Sequence, residues 1–453
     1  MPQTAAATLA DDDKQSVHLN QVPFIRKKPD FGGEACGAAF LQSLGNQVDQ
    51  DFVFDQSGVS PTLGRGCVTS ELVTALKACR VQTGDVWFRA NSSQQIRAVW
   101  SQIHTDLIKG RPTIAVAKKD AERFVLVTGY DQQNDEVIFH DPNQDDGADQ
   151  KQDLSAFLDS MRLRSVDASG EESFQVVAIR CRGGKTNLTK SQERFSDADY
   201  AQHIRQLKTR LPNDEFSIVL QKPFVVVGDG GADKVKRTAE RTVKWAVDCI
   251  KQDYFQRDPL HILDIWLFKN PESYQRHNVQ LFGSKPTTPF GYYSSQHRAL
   301  VMDISTGGGT LVHEIVHPFI ESNFVLCPSW FNEGLASLYE QSSSRNGRII
   351  GLTNWRLRGL QKTIEAERLA TFKELCETST REFYRGAGTN YAQARYLCYY
   401  LQERGLLNKF YHAFVKNAQD DPSGYETLQS VLGTEDMGSF QEKWEAYVLK
   451  LKF

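Results

Sequence analysis

Thr310-Leu311-Val312-His313-Glu314-Ile315-Val316-His317-Pro318 and, after a short gap, Pro328-Ser329-Trp330-Phe331-Asn332-Glu333-Gly334-Leu335-Ala336 decide how the C-terminal half is read. Residues four apart on a helix lie about 40° from each other around the axis, so the His313 and His317 imidazoles can close on one ion while Glu314 projects nearby without ligating it. A catalytic zinc takes three protein ligands and keeps an open position for water. Glu333 is the candidate for the third: Pro328 is placed to start a helix, and Glu333 lies inside it. Gly307-Gly308-Gly309 permits a close backbone turn into the helix of the two histidines. Pro318 removes an amide donor to the Glu314 carbonyl and disfavours helical geometry at His317, which predicts a kink or a helix end beside that ligand. The five-residue H-E-x-x-H pattern arises by chance in roughly one chain in a hundred of this length, and the Trp-x-Asn-Glu-Gly that follows lowers the odds further.

The pairing of H-E-x-x-H with a glutamate on a following helix, in an Asn-Glu-Gly context, resembles the gluzincin metallopeptidases over roughly residues 213–453. The resemblance implies Zn2+ held by His313, His317 and Glu333, with Glu314 as general base. Zinc lowers the pKa of its water toward about 7, and the same ion polarises the peptide carbonyl under attack. Fifteen residues separate His317 from Glu333, fewer than in thermolysin-like enzymes, and Ser337 stands where those enzymes carry an acid. The W-x-N-E-G-x-A pattern is more similar to a smaller bacterial peptidase-like branch. A tetrahedral oxyanion also needs a donor besides the metal. Tyr391, in the helix opened by Asn390-Tyr391-Ala392-Gln393-Ala394-Arg395, resembles the phenol that gluzincins place beside the zinc. A core position is the other reading, since Tyr396, Tyr399 and Tyr400 share that helix. By the same resemblance Gly291-Tyr292-Tyr293 and a strand at 298–304 border the substrate cleft.

At 453 residues the chain is too long for one ordinary core. Hydrophobic residues at 40% and charged residues at 24% are near the average for soluble globular proteins, which argues against disorder, collagen-like sequence and membrane burial. A formal net charge of −3 provides no basic field for a nucleic-acid polyanion, and the Lys- and Arg-containing stretch at 180–190 reads as a solvated linker. No run of roughly 18 apolar residues spans a bilayer. Residues 1–16 read as a disordered Ala- and Asp-rich tail; they equally fit the front of a mature secreted or periplasmic protein after signal removal. Eight cysteines without a CxxC pair make no disulfide scaffold, and most read as buried apolar residues.

Residues 17–182 read as one α+β domain, with helices at 34–44, 70–79 (behind Thr69 as a cap) and 94–108, then strands at 113–117, 124–130, 136–140 and 174–179. A polar linker with one short helix, 183–212, leads to a second domain at 213–453. That domain opens with a strand at 216–227 interrupted at Pro223, an amphipathic helix at 232–254 and a strand at 262–268. A last strand at 298–304 precedes a chiefly helical remainder. Phe440, Trp444, Tyr447 and Leu451 form a core stripe on the C-terminal helix.

In the first domain, Val22-Pro23-Phe24-Ile25-Arg26-Lys27-Lys28-Pro29-Asp30-Phe31-Gly32-Gly33-Glu34-Ala35, Arg123-Phe124-Val125-Leu126-Val127-Thr128-Gly129-Tyr130-Asp131 and Phe139-His140-Asp141-Pro142 resemble the papain-like peptidases that process bacteriocin leaders. That family carries a glutamine, then Cys-Gly opening a helix, a histidine starting a strand that ends Gly-Tyr-Asp, and Asp-Pro. Matching the helix to its Leu44-Gly45 end places Gly32 at the nucleophile, Lys27 at the oxyanion glutamine and Arg123 at the histidine; only Asp141 matches. A glycine cannot attack a carbonyl, and an arginine is no general base near neutrality. Sliding the register makes Cys36-Gly37 the nucleophile motif, but shortens the helix by a turn and leaves no histidine at 123, although His140 is near in sequence.

These readings predict an α+β chain of two domains. One is an inactive papain-like module that binds peptide or protein, and the other is a gluzincin-like zinc peptidase with a small sheet and a helical lower half. The expected partner is a peptide or protein substrate and the expected cofactor is Zn2+. The other class that fits is a binding protein built from two inactive peptidase-like domains with a structural zinc. Oligomeric state and cleavage preference leave no mark in these residues.

Overall fold

The computed structural model describes residues 15–119, 121–166, 170–184, 187–189 and 193–453, so the expected tail lies almost wholly outside the described residues, as do 185, 186 and 190 of the basic stretch. The chain divides into two compact units, residues 1–209 and 210–453. Each has its own apolar core.

The first unit is α+β. Its antiparallel sheet is ordered Trp87–Arg89, Glu172–Arg180, Thr113–Lys118, Glu122–Asp131, Glu136–His140, Gln150–Asp153, with Val17–His18 added to Glu122–Asp131 and Leu163–Val166 to Glu172–Arg180. Helix Gly32–Ser43 is buried without interruption from Gly32 to Leu41, which the small side chains of its first two turns permit. Thr69 opens the helix Thr69–Ala78 instead of capping it: Val68 stands at the cap, and Glu71 accepts a hydrogen bond from its amide at 2.8 Å. Helices Gln50–Asp55 and Leu154–Met161 escape the sequence reading because six to eight residues are too few for a periodicity to register. Helix Asp197–Lys208, inside the expected linker, contributes Ala198 and Ala201 to the first core.

Glu34 is the charged residue on the buried helix Gly32–Ser43. Its Oε1 accepts a hydrogen bond from the Cys67 amide at 2.6 Å, while Oε2 is buried without a partner among the described residues. Burial, only partly offset by the Cys67 amide, pushes the Glu34 carboxyl up to about 7. The folded chain therefore keeps a proton that the unfolded chain releases near 4.5, so stability falls as pH rises between those two values. Glu34→Gln keeps the Oε1 acceptor and removes the titration. In urea unfolding it is expected to match the wild type near pH 4.5 and to be more stable by up to about 3 kcal/mol at pH 8. Equal stability of the two proteins at pH 8 would show that Glu34 carries no such burden.

In the second unit a five-stranded sheet is ordered Gly291–Ser294, Ala299–Asp303, Leu263–Phe268, Phe224–Gly228, Ser217–Gln221. The single interrupted strand expected at 216–227 is a hairpin, with Ser217–Gln221 antiparallel to Phe224–Gly228 around the turn at Lys222-Pro223. Leu263–Phe268 pairs in parallel with both neighbours, and Gly291–Ser294 is an antiparallel edge strand. The strand Ala299–Asp303 is not the last: Ser342–Arg345 and Arg348–Gly351 form a later hairpin. Its turn is Asn346-Gly347, both at positive φ, the two-residue turn signal that the sequence does display.

Helix Gly309–Asn323 follows the sheet and runs five residues past Pro318, where the sequence predicts a kink or an end. Phe319 and Ile320, beyond the proline, are buried in the core. Burying two such side chains is worth about 3–6 kcal/mol, enough to offset a proline in mid-helix at roughly 3 kcal/mol. Helices Ser329–Leu338, Leu357–Glu365, Phe372–Glu377, Thr380–Arg385 and Ala387–Glu403 continue the unit. Among the described residues no helix is long and apolar enough to cross a membrane.

Candidate metal centre

His313 and His317 stand one turn apart on Gly309–Asn323, and Glu333 comes from Ser329–Leu338, which packs beside it. All three are buried, and one donor atom from each lies within 4.8 Å of the others. The Nε2 atoms of both rings face Glu333 Oε2, at 3.3 Å from His313 and 4.0 Å from His317. Donors about 2.0–2.2 Å from a tetrahedral zinc are roughly 3.3–3.5 Å apart, so the first distance fits as it stands and the second needs only a small side-chain adjustment. Glu333 Oε2 is buried with no hydrogen-bond partner among the described residues, which leaves it as an acceptor for a cation. The residues present therefore fit the metal.

The outer nitrogens are held as well. Asn332 Oδ1 lies 2.9 Å from His317 Nδ1. His313 Nδ1 faces Glu340 Oε1 at 3.4 Å, within ion-pair range but longer than a good hydrogen bond. Glu340 is itself fixed by Arg356 Nε and Nη2, at 2.9 and 2.7 Å, and by Asn354 Nδ2 at 3.1 Å. Ser337 stands four residues after Glu333, where thermolysin-like enzymes carry an acid; here the acid that reaches the histidine is Glu340, just past the helix end at Leu338. Gly309 allows this approach, since a Cβ there would lie 2.1 Å from the Glu340 carbonyl oxygen. Outer partners of this kind orient a metal-binding imidazole and raise its basicity. Glu340→Gln is expected to weaken zinc binding about 10–100-fold in a competitive chelator titration. An unchanged affinity would place Glu340 outside the metal's control.

Three carboxylates surround the two rings. Burial favours neutral His313, but Glu333, Glu340 and Glu314 outweigh it and hold its pKa well above the ordinary imidazole value. Burial also pushes Glu333 up, yet His313, His317 and the Tyr384 hydroxyl bring it down to about 2; Glu340 is likewise brought to about 2 by Arg356 and His313. The centre thus demands positive charge, which protons or a metal cation can meet. Glu314 Oε2 lies 3.8 Å from His317 Nε2 and stands outside the donor triad.

Tyr391 is half-buried in Ala387–Glu403, one turn inside a helix that begins three residues before the expected Asn390. Its ring packs on Phe383 and Tyr384, with the Arg356 guanidinium 5.1 Å from its centroid. Burial first and Glu333 next push its phenol above the ordinary value. The sequence does not single out Tyr384, whose hydroxyl donates to Glu333 Oε1 at 2.7 Å from the short helix Thr380–Arg385. Six residues in the shadow of a larger tyrosine cluster gave no periodic signal that could single it out.

In the first unit the four substituted or retained peptidase positions are drawn together. Arg123 Nε donates to the buried Asp141 carboxylate at 2.9 Å, and Asn143 and Gln144 also donate to it. Lys27 donates its amide to Pro142 O at 3.1 Å, and its Cδ lies 3.8 Å from where a Cβ on Gly32 would be. Cys36, the alternative nucleophile, is buried in the core, and burial pushes its thiol well above the ordinary value. His140 is engaged on both sides, Nε2 with the Val22 carbonyl at 3.0 Å and Nδ1 with the Asp149 amide at 3.1 Å. All eight cysteines are free, and all but the half-buried Cys327 are buried.

Comparison with known proteins divides along the same line. Residues 19–165 match the Peptidase_C39 like family, and the papain-like α+β reading of the first unit agrees with that match. No curated protein matches the chain. Among solved structures, the peptidase domain of Streptococcus ComA, a bi-functional ABC transporter involved in a quorum sensing pathway, aligns at 12% identity and a TM-score of 0.24, over 35% of this chain and 98% of that one. Residues 308–423, which hold every side chain of the metal centre, are similar to a family of proteins of unknown function, DUF1570.

Proposed function

We propose that this chain is a zinc-dependent peptidase of gluzincin type whose first unit is a non-catalytic peptide- or protein-binding module. One observation carries the reading: three buried donors, His313, His317 and Glu333, converge within 4.8 Å of one another while the Glu314 carboxylate stays beside them and outside the triad. A zinc held by His313, His317 and Glu333 would supply Lewis acidity that makes water a nucleophile near neutral pH. Glu314 accepts the proton of that water and returns it to the leaving amine. Tyr391 donates to the oxygen on which negative charge develops, and Tyr384 keeps Glu333 in its binding orientation through Oε1. The edge strand Gly291–Ser294 pairs on one side only, with Ala299–Asp303, and its other side takes an extended peptide beyond Gly291, whose amide and carbonyl already meet the Thr288 hydroxyl.

At the matched positions the first unit keeps Asp141 but lacks the nucleophile, the histidine and the oxyanion glutamine of a cysteine peptidase. Gly32 has no nucleophile, Arg123 is bound to Asp141, and Cys36 is enclosed in the core. Cys36→Ala and thiol-directed inhibitors are therefore expected to leave peptide hydrolysis unchanged, whereas a chelator abolishes it. Thiol-sensitive cleavage that survives the chelator would return the activity to the first unit. The test of the whole reading is metal analysis of the purified chain, with about one zinc expected per chain, joined to a broad peptide-library cleavage assay with and without chelator. A zinc-loaded chain that cleaves nothing would favour a binding protein with a structural metal.

A further inference from the structure

Beside the edge strand Gly291–Ser294 lies a cavity of about 430 Å³, within the size range of ligand pockets. Tyr274, Lys285, Thr288, Phe290, Asp303 and Thr306 are among its lining residues. Asp303 ends the strand next to the edge strand and is fully buried. Its Oδ1 accepts hydrogen bonds from the Ser305 amide at 3.0 Å and the Ser305 hydroxyl at 2.6 Å. Its Oδ2 is buried and has no hydrogen-bond partner among the described residues. A carboxylate oxygen withdrawn from water and left without a donor is costly, and a charged donor relieves that cost most fully. Lys285, the one basic residue of the lining, is exposed at the surface.

Tyr274, in the cavity wall, links it electrostatically to the proposed base. The Tyr274 hydroxyl donates to Thr288 O at 3.1 Å, and its phenol is held above the ordinary value by burial first, then by Tyr292, Glu314 and Asp303. One hydroxyl in the pocket wall thus feels both the proposed base and the unpaired carboxylate.

We propose that this cavity is a specificity pocket that takes a cationic group of the peptide, a lysine or arginine side chain or a free amino terminus, on Asp303. It rests on the reading of the neighbouring centre as a peptidase site, and its test is a binding measurement separate from turnover. The probes are alanine hexapeptides, acetylated and amidated, carrying one lysine, arginine or neutral norleucine at each position in turn, and the norleucine set again with a free amino terminus. Binding is measured by calorimetry to the zinc-loaded, full-length Glu314→Gln protein. At one position a lysine or arginine, or in the unblocked set the free amino terminus, is expected to bind at least about tenfold tighter than its neutral counterpart, as one charge-assisted hydrogen bond provides. Which arm shows the preference identifies the source of the cation. Adding Asp303→Asn, which keeps an acceptor for the Ser305 turn, is expected to bring the two within about twofold and leave the neutral peptides' affinity unchanged. Lys285→Glu, at an exposed position that does not endanger the fold, is expected to enlarge the preference about two- to threefold. No cationic preference at any position, no binding at all, or a preference that survives Asp303→Asn overturns the pocket. Zinc-dependent cleavage without cationic preference sinks the pocket and leaves the peptidase standing; an Asp303-dependent preference in a chain that cleaves nothing does the reverse.

Discussion

Glu314→Gln protein is expected to hold about one zinc per chain, as is expected of the wild type, and to hydrolyse peptides about 10²–10⁴-fold more slowly. The substitution removes the proposed base and none of the three donors, since Glu314 stands outside the triad and 3.8 Å from His317 Nε2. Glutamine fills nearly the same space, so packing of the buried helix is conserved. Metal content by elemental analysis and turnover on one library-selected peptide, measured on the same preparation, separate the two effects. Loss of zinc together with activity would make Glu314 part of the metal's support, and turnover within a few-fold of wild type would end its assignment as base.

The two tyrosines are expected to fail differently. Tyr391→Phe should lower kcat about 10²–10³-fold and leave KM little changed, because a donor to the developing oxyanion acts in the transition state and not on the bound substrate. Its ring packing on Phe383 and Tyr384 survives the loss of the hydroxyl, so stability should move by only about 1 kcal/mol. Tyr384→Phe instead frees Glu333 Oε1, now fixed at 2.7 Å, and is expected to weaken zinc binding about 10–100-fold. With saturating zinc, Tyr384→Phe should recover most of its turnover, whereas Tyr391→Phe should not. A kcat within about threefold of wild type for zinc-loaded Tyr391→Phe would return that residue to the core, and a collapse for zinc-loaded Tyr384→Phe would pass the oxyanion role to it.

Much of the centre was legible because helical geometry is local. His313 and His317 needed only their four-residue spacing, and Glu333 only a helix started by Pro328, for the three donors to be named. In the first unit, the residues at Gly32, Lys27 and Arg123 already excluded cysteine-peptidase chemistry in the matched register, since no fold supplies a nucleophile that a side chain lacks. The long, periodic helices and the main strands of both sheets could be found for the same local reason.

The rest was decided by packing between segments that have no periodic relation to one another. Glu340 reaches His313 only because the chain turns back after Leu338 against the bare backbone of Gly309, and Arg356 then holds it from a third segment. Tyr384 finds Glu333 across 51 residues, from a helix too short to announce itself. Whether Cys36 could serve as a nucleophile depended on burial, which sequence register alone left open. Asp303 reads in sequence as one residue of the strand at 298–304; only the folded chain gives it a cavity wall and an unpaired buried oxygen. Spacing along one helix is set by the backbone's own hydrogen bonds, but a contact between distant segments exists only once the core that presses them together has formed.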